Sequence, residues 1–192
     1  MAVEKIDPAL KHIKGMRPAR LMVPVFASND PREIKFSLDA LNAGVYGLML
    51  MDCAWLKDFP ATPRIYESGV IYKPELQRRA KDGHLLEYGE DWQTVPWILY
   101  HGFGDCEDLA SWRAAELRVK DGIMAKPDVA IRRLPSGYWR AHVRTMWPDG
   151  HIEDPSARLG MYAYGGADTG PKIDRIAGAV QAAVNQRLGR AA

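Results

Sequence analysis

Gly102-Phe103-Gly104-Asp105-Cys106-Glu107-Asp108-Leu109-Ala110 is the stretch on which the reading of this chain turns. Glycines lead into a polar residue, and an apolar helical pattern follows at once. Asp105 suits the cap, which puts Cys106 at the first helical position. Asp108 then falls at the third, where it can reach back to the cap amide. A thiol at a helix N-terminus faces the positive end of the helix dipole, which favours the nucleophilic thiolate and predicts a lowered pKa. Gly104 leaves the backbone open to a substrate's approach. The helix is predicted over residues 105–119, closing near Gly122.

Downstream the pattern changes to strands, over residues 129–134, 138–146 and 151–154, with Pro148-Asp149-Gly150 turning the second into the third. If the loop is Trp147-Pro148-Asp149, Met146 pairs with Gly150 and His142 lies directly opposite Asp154. Cross-strand partners have Cβ atoms about 4.5–5.5 Å apart. Asp154 would then accept one imidazole N–H and leave the other ring nitrogen to face Cys106. His151 is a rival base, of opposite parity to His142 on a regular strand. Beyond the sheet, Ile173, Ile176, Val180, Val184 and Leu188 share one face of a predicted amphipathic helix over residues 172–188.

Upstream, residues 20–26 read as a short strand. Asn29-Asp30-Pro31-Arg32-Glu33 is a helix start, with Asp30 as cap and Pro31 first in the helix. Ile34, Leu38, Leu41, Val45, Leu48 and Met49 continue it, with Gly44 or Gly47 as the place for a kink. Residues 66–72 read as extended, and residues 74–81 and 94–100 as short helices. Helices first, then an antiparallel sheet, then a last helix argue an α+β fold. One domain is expected over residues 1–192, with an N-terminal helical part (1–65), a catalytic core (66–160) and a C-terminal amphipathic helix (161–192).

The bulk numbers narrow the function classes. Lys and Arg total 26 against 24 Asp and Glu, so nothing in the balance calls for nucleic acid or an anionic membrane. The most apolar window, residues 45–56, is broken by Asp52 and reads as a buried helix, with Cys53 an inert core thiol. Two cysteines are too few for a disulfide framework. Residues 1–14 hold no apolar core of a secretory signal, so synthesis in the cytoplasm is expected. The chain carries neither a Cys/His zinc pattern nor a Gly-rich phosphate loop, and no cofactor is required by the chemistry so far.

Taken together, residues 104–110, His142-Val143, Asp149-Gly150 and Glu153-Asp154-Pro155-Ser156 resemble the transglutaminase-like superfamily, most of all its bacterial and phage-borne cysteine-proteinase branch. The chain order and spacing of Cys106, His142 and Asp154 fit that family, and the likeness is strongest over residues 66–160. Trp92-Gln93-Thr94-Val95-Pro96 looks like the family's Trp-containing segment before the nucleophile, although Val95 here separates a Thr and a Pro that are usually adjacent.

The resemblance implies a papain-like core, with the cysteine helix packed on an antiparallel sheet that carries His and Asp. It implies a thiol peptidase or amidase that acts on a protein or peptide through an acyl-enzyme, released to water or to an amine. Alongside the Cys106 amide it offers Trp92 or Gln93 as the oxyanion donor. Some members bind calcium beside the cysteine, which makes Asp105 and Glu107 candidate ligands; helix capping is the other reading of these acids. The alternative function is a structural or interaction role, such as a virion component that keeps the fold and docks on an assembly partner.

Overall fold

Leu41, Val45, Leu48, Met49, Cys53 and Leu56 recur at helical spacing and are all buried. They form the inner face of a long helix, α1 (Pro31–Asp58), which runs unbroken through Gly44 and Gly47. Its start at Pro31 matches the expectation; Asp30 lies outside the described residues. In the computed structural model those residues are 19–22, 31–74, 89–133 and 139–164. The predicted helices over residues 74–81 and 172–188 fall almost wholly or wholly outside them.

After α1 the chain makes a 3-10 turn at Ile65–Glu67 before the short strand β2 (Ile71–Tyr72), so the segment expected to be extended is only partly so. A strand β1 (Ala19–Met22) pairs antiparallel with β3 (Gly89–Trp92). Then come α2 (Val95–His101), β4 (Phe103–Gly104) and α3 (Cys106–Asp121). Gly102 and Gly122 end the two helices in the left-handed conformation, with φ of 78° and 69°. Strands β5 (Lys126–Arg133), β6 (Trp139–Met146) and β7 (Ile152–Glu153) form an antiparallel sheet in the order β5-β6-β7. A one-turn helix α4 (Pro155–Arg158) follows directly. The described fold is mixed α+β. Its small pairings β1-β3 and β2-β4 lie among the helices, so the segregation of helix and strand is less complete than the sequence order suggests.

The core sits around α3, which lies between α1 and the sheet. Leu109, Ala110, Trp112, Ala114, Ala115 and Leu117 are all buried, and the small alanines let the neighbouring elements approach closely. Two buried hydroxyls tie the layers. Ser111 Oγ donates to the Val45 carbonyl of α1 at 3.2 Å, and Thr145 Oγ1 of β6 donates to the Ala110 carbonyl at 3.1 Å. Near the other end of α3, the fully buried Glu116 accepts from Ile65 N–H at 2.8 Å, Arg64 at 2.9 Å and Arg113 at 3.1 Å. Among the described residues no helix is long and apolar enough to cross a membrane.

Candidate active site

The sequence from Gly102 to Asp108 places the thiol. Gly102 terminates α2, and β4 carries the chain to Asp105, which is extended and caps α3. Asp105 and Asp108 form the expected capping box, with Asp105 N–H donating to Asp108 Oδ2 at 3.4 Å. A side chain at Gly104 would fit tightly. A Cβ on it would stand 3.1 Å from the Asp108 Cβ and 3.2 Å from Asp108 Oδ2.

Cys106 is half-buried and free, and its thiol donates to Glu107 Oε2 at 3.2 Å. Burial raises the thiol pKa well above its ordinary value, and Glu107 and Asp105 raise it further. The expectation of a lowered pKa is therefore corrected. The helix terminus supplies only about half a charge, whereas desolvation and two acids all oppose the thiolate. The group that acts the other way is the backbone N–H of Val143, on the strand that carries His142.

Packing beside Val143 shows where Cys106 meets the sheet. Trp147 N–H donates to the His151 carbonyl at 2.8 Å, so it points to the β7 side of β6. Backbone N–H groups alternate in direction along a strand, so Thr145 and Val143 point the same way. Opposite Thr145 the partner is Glu153, the last residue of β7. One pair further on, Asp154-Pro155 has turned the chain into α4, and β7 offers Val143 no acceptor. That N–H faces the open edge of β6, one residue from His142, and Cys106 packs in the same cluster as Val143.

The hairpin register differs from the expected one. Met146 pairs with Ile152, not Gly150, and Thr145 with Glu153. The loop is Pro148-Asp149-Gly150, closed by the Trp147–His151 pair, with Gly150 at φ 85°. It still has three residues but starts one position later, which shifts the register by two and so keeps every side chain on its face. Asp154 becomes a diagonal neighbour of His142, still within reach. His142 Nε2 and Asp154 Oδ2 are 2.8 Å apart. The other oxygen, Oδ1, accepts from Ala157 N–H at 3.1 Å and caps α4. Asp154 is thus held from two sides, and with Nε2 engaged the remaining ring nitrogen of His142 is Nδ1.

Glu153 and His151, which flank the pair in sequence, are placed differently. Glu153 accepts both oxygens' worth of hydrogen bonds from Arg113 Nε at 3.1 Å, and also binds Trp147 Nε1 and Tyr66. His151 is exposed and packs edge-on against Trp147.

Trp92 is buried, packs in one cluster with Ala110, Val143 and Cys106, and its Nε1 has no hydrogen-bond partner among the described residues. Gln93 is also buried, but its side chain is engaged. Its Nε2 donates to Asp108 Oδ2 at 3.2 Å, and its Oε1 lies 2.6 Å from His101 Nδ1. The backbone of this segment is gripped by two buried acids. Gln93 N–H donates to Asp108 Oδ1 at 2.7 Å, and Val95 N–H to Asp52 Oδ1 at 2.8 Å. Burial raises the pKa of both acids well above the ordinary carboxylate value, and Glu107 adds to the shift at Asp108.

No family model, no curated protein and no solved structure matches this chain.

The acids beside Cys106 are engaged within the protein. Calcium takes six to eight oxygens, about 2.3–2.6 Å away. Asp108 is committed to Gln93 and the Asp105 amide, Glu107 to the thiol, and Asp105 to the cap. Among the described residues no three side chains of ligand type converge on a point that could hold a metal.

Two features of the site were not read from the sequence. One is the Asp52 and Asp108 grip on residues 93–95. The other is Tyr72, which the β2-β4 pairing brings opposite Gly104. Neither has a local signal, because both arise from contacts between distant segments.

Proposed function

We propose that this protein is a cysteine peptidase or amidase of papain/transglutaminase-like architecture, acting through Cys106, His142 and Asp154. The observation that carries the reading is the pairing of two contacts. His142 Nε2 meets Asp154 Oδ2 at 2.8 Å, while Cys106 packs against the cluster that holds Val143, the residue next to His142. The resemblance of the motif set supports the same assignment.

In this reading Asp154 accepts Nε2–H, which leaves the Nδ1 lone pair as the base. His142 takes the thiol proton, and the sulfur attacks a substrate amide carbonyl. The carbonyl oxygen becomes an oxyanion held by the Cys106 backbone N–H, with Trp92 Nε1 as the side-chain donor. The imidazolium returns its proton to the nitrogen, the C–N bond breaks, and the amine leaves. Water, deprotonated by the same imidazole, then cleaves the thioester and restores the thiol. An amine in place of water gives transamidation. The raised thiol pKa means that the sulfur needs a base to become a nucleophile.

Iodoacetamide labelling of the folded protein at pH 7.5, mapped by mass spectrometry, tests the reading. Cys106 is expected to label well ahead of Cys53, whose thiol is buried in the α1 core with a pKa raised chiefly by desolvation. His142→Ala is expected to slow Cys106 and leave Cys53 unchanged. Equal labelling of the two cysteines overturns it.

A further inference from the structure

The outer side of α1 is apolar where a helix face in water is ordinarily charged. From Ala40 to Leu56 the only Asp, Glu, Lys or Arg in the sequence is Asp52, and it is buried. The buried residues of this helix belong to the two core clusters. On the opposite side lie Phe36, Ala40, Ala43, Gly47, Leu50 and Ala54, all at least partly exposed, with Phe36 70% and Leu50 50% accessible. Their spacing alternates four and three, the seam of a two-helix pair, over about 27 Å of helix. Gly47 points the same way. Glycine in a helix interior is less stable than alanine, yet a Cβ added there meets nothing within 4 Å. Among the described residues nothing approaches closely enough to call for a glycine at that position.

We propose that this face is a dimer interface, on which the α1 helices of two copies of the chain pack antiparallel. The seam is complementary to itself when the two-fold axis lies level with Val45. Ala43 then meets Gly47 of the second copy, Ala40 meets Leu50, and Phe36 meets Ala54. Each large side chain faces a small one, and the two backbones approach most closely at the centre, where the smallest residues stand. A two-fold interface of this kind is made twice over by the same contacts. The charges at the ends of α1 follow the same register. Arg32 falls level with Asp58, and Glu33 with Lys57. A parallel pair would set Arg32 beside Arg32 and Asp58 beside Asp58, and Gly47 beside Gly47 would leave a gap. Lys35 and Asp39 pair with each other along the flank and stay at the rim. The seam faces away from the cluster that holds Cys106, so pairing leaves the thiol reachable.

Sedimentation velocity of the full chain and of Leu50→Glu, from about 2 to about 200 μM, tests the interface, with a thermal melt of each protein at the lowest concentration. Wild type is expected to pass from the mass of one chain to that of two as concentration rises. Leu50→Glu sets a charge in the seam, and is expected to weaken the dimer at least about tenfold while melting with wild type. The register is read from Ala40→Cys and Leu50→Cys, each combined with Cys106→Ser and oxidised alone or mixed. The mixture is expected to form a disulfide-linked pair and neither variant alone, since like positions lie about 15 Å apart along the axis. Cross-linking of Ala40→Cys to itself overturns the antiparallel arrangement. A dimer undiminished in Leu50→Glu forms through another surface and overturns the proposal. So does a single chain at every concentration. If Leu50→Glu also lowers the melting temperature of that single chain, the face is covered by the chain's own apolar stripe at Ile173, Ile176, Val180, Val184 and Leu188 and not by a second copy.

Discussion

Glu116, near the C-terminal end of α3, is fully buried but meets Arg64, Arg113 and a backbone N–H. Glu107 and Asp108, in the first turn of the same helix, are also buried, yet among the described residues neither has an ion pair. The first arrangement compensates a desolvated charge and fastens α3 to the turn after α1. The second meets no opposing charge, and burial together with these acids pushes the Cys106 thiol and the Asp108 carboxyl toward their protonated forms. One end of the helix is arranged for holding its place, and the other for holding protons.

The largest effect is expected where an acid at the site end does have a partner. Asp154→Asn keeps a cap for α4, since Asn caps as well as Asp. It cannot stabilise an imidazolium and offers His142 the wrong tautomer, so kcat is expected to fall by about 10³–10⁴ with the melting temperature retained. Steady-state hydrolysis of a peptide substrate beside a thermal melt measures both. Full activity would reduce Asp154 to a helix cap.

Next in size is Glu116→Ala at the other end. It takes one partner from each of two guanidinium groups, which keep Asp121 and Glu153, and strands the Ile65 amide; it is expected to cost about 3 kcal/mol in urea unfolding while leaving Cys106 labelling of the folded protein unchanged. Arg64 is partly exposed and recovers some hydration, which keeps the loss at the low end for a buried pair. A loss under about 0.5 kcal/mol would remove the contrast between the two ends.

The smallest change sharpens it. Glu107→Gln removes a negative charge 3.2 Å from the sulfur, so the thiol pKa falls and alkylation at pH 7.5 is expected to rise by up to about tenfold. A slower rate would mean that Glu107 receives the thiol proton, not merely opposes its loss.

The sequence carried the helix ends well because their signals are local. Asp105 with Asp108, and the glycines at 102 and 122, specify caps that no distant contact needs to complete. It carried the face of His142 and Asp154 but not the register, since a shift of two leaves the alternation of side chains unchanged. The strand β3 was missed because Gly89-Glu90-Asp91-Trp92 has little strand propensity and is held by pairing with β1. The helix α4 was missed although Asp154-Pro155 repeats the cap-and-proline signature recognised at Asp30-Pro31; its catalytic reading obscured its structural one. The thiol pKa was misjudged because the helix dipole is visible in a sequence, whereas burial is not. Tyr72, Asp52 and Glu116 act across separations of dozens of residues, which no local pattern encodes.

The grip of Asp108 on the Gln93 amide and of Asp52 on the Val95 amide gives this region a pair of built-in reporters. Each amide proton is shielded from solvent exchange only while its own helix stays seated, α3 for Gln93 and α1 for Val95. Deuterium uptake at these two amides, two positions apart, therefore compares how often each helix lifts from the shared core. If they exchange together, α1 and α3 open as one cooperative unit. If Val95 exchanges first, α1 detaches while α3 and the cysteine at its tip remain in place.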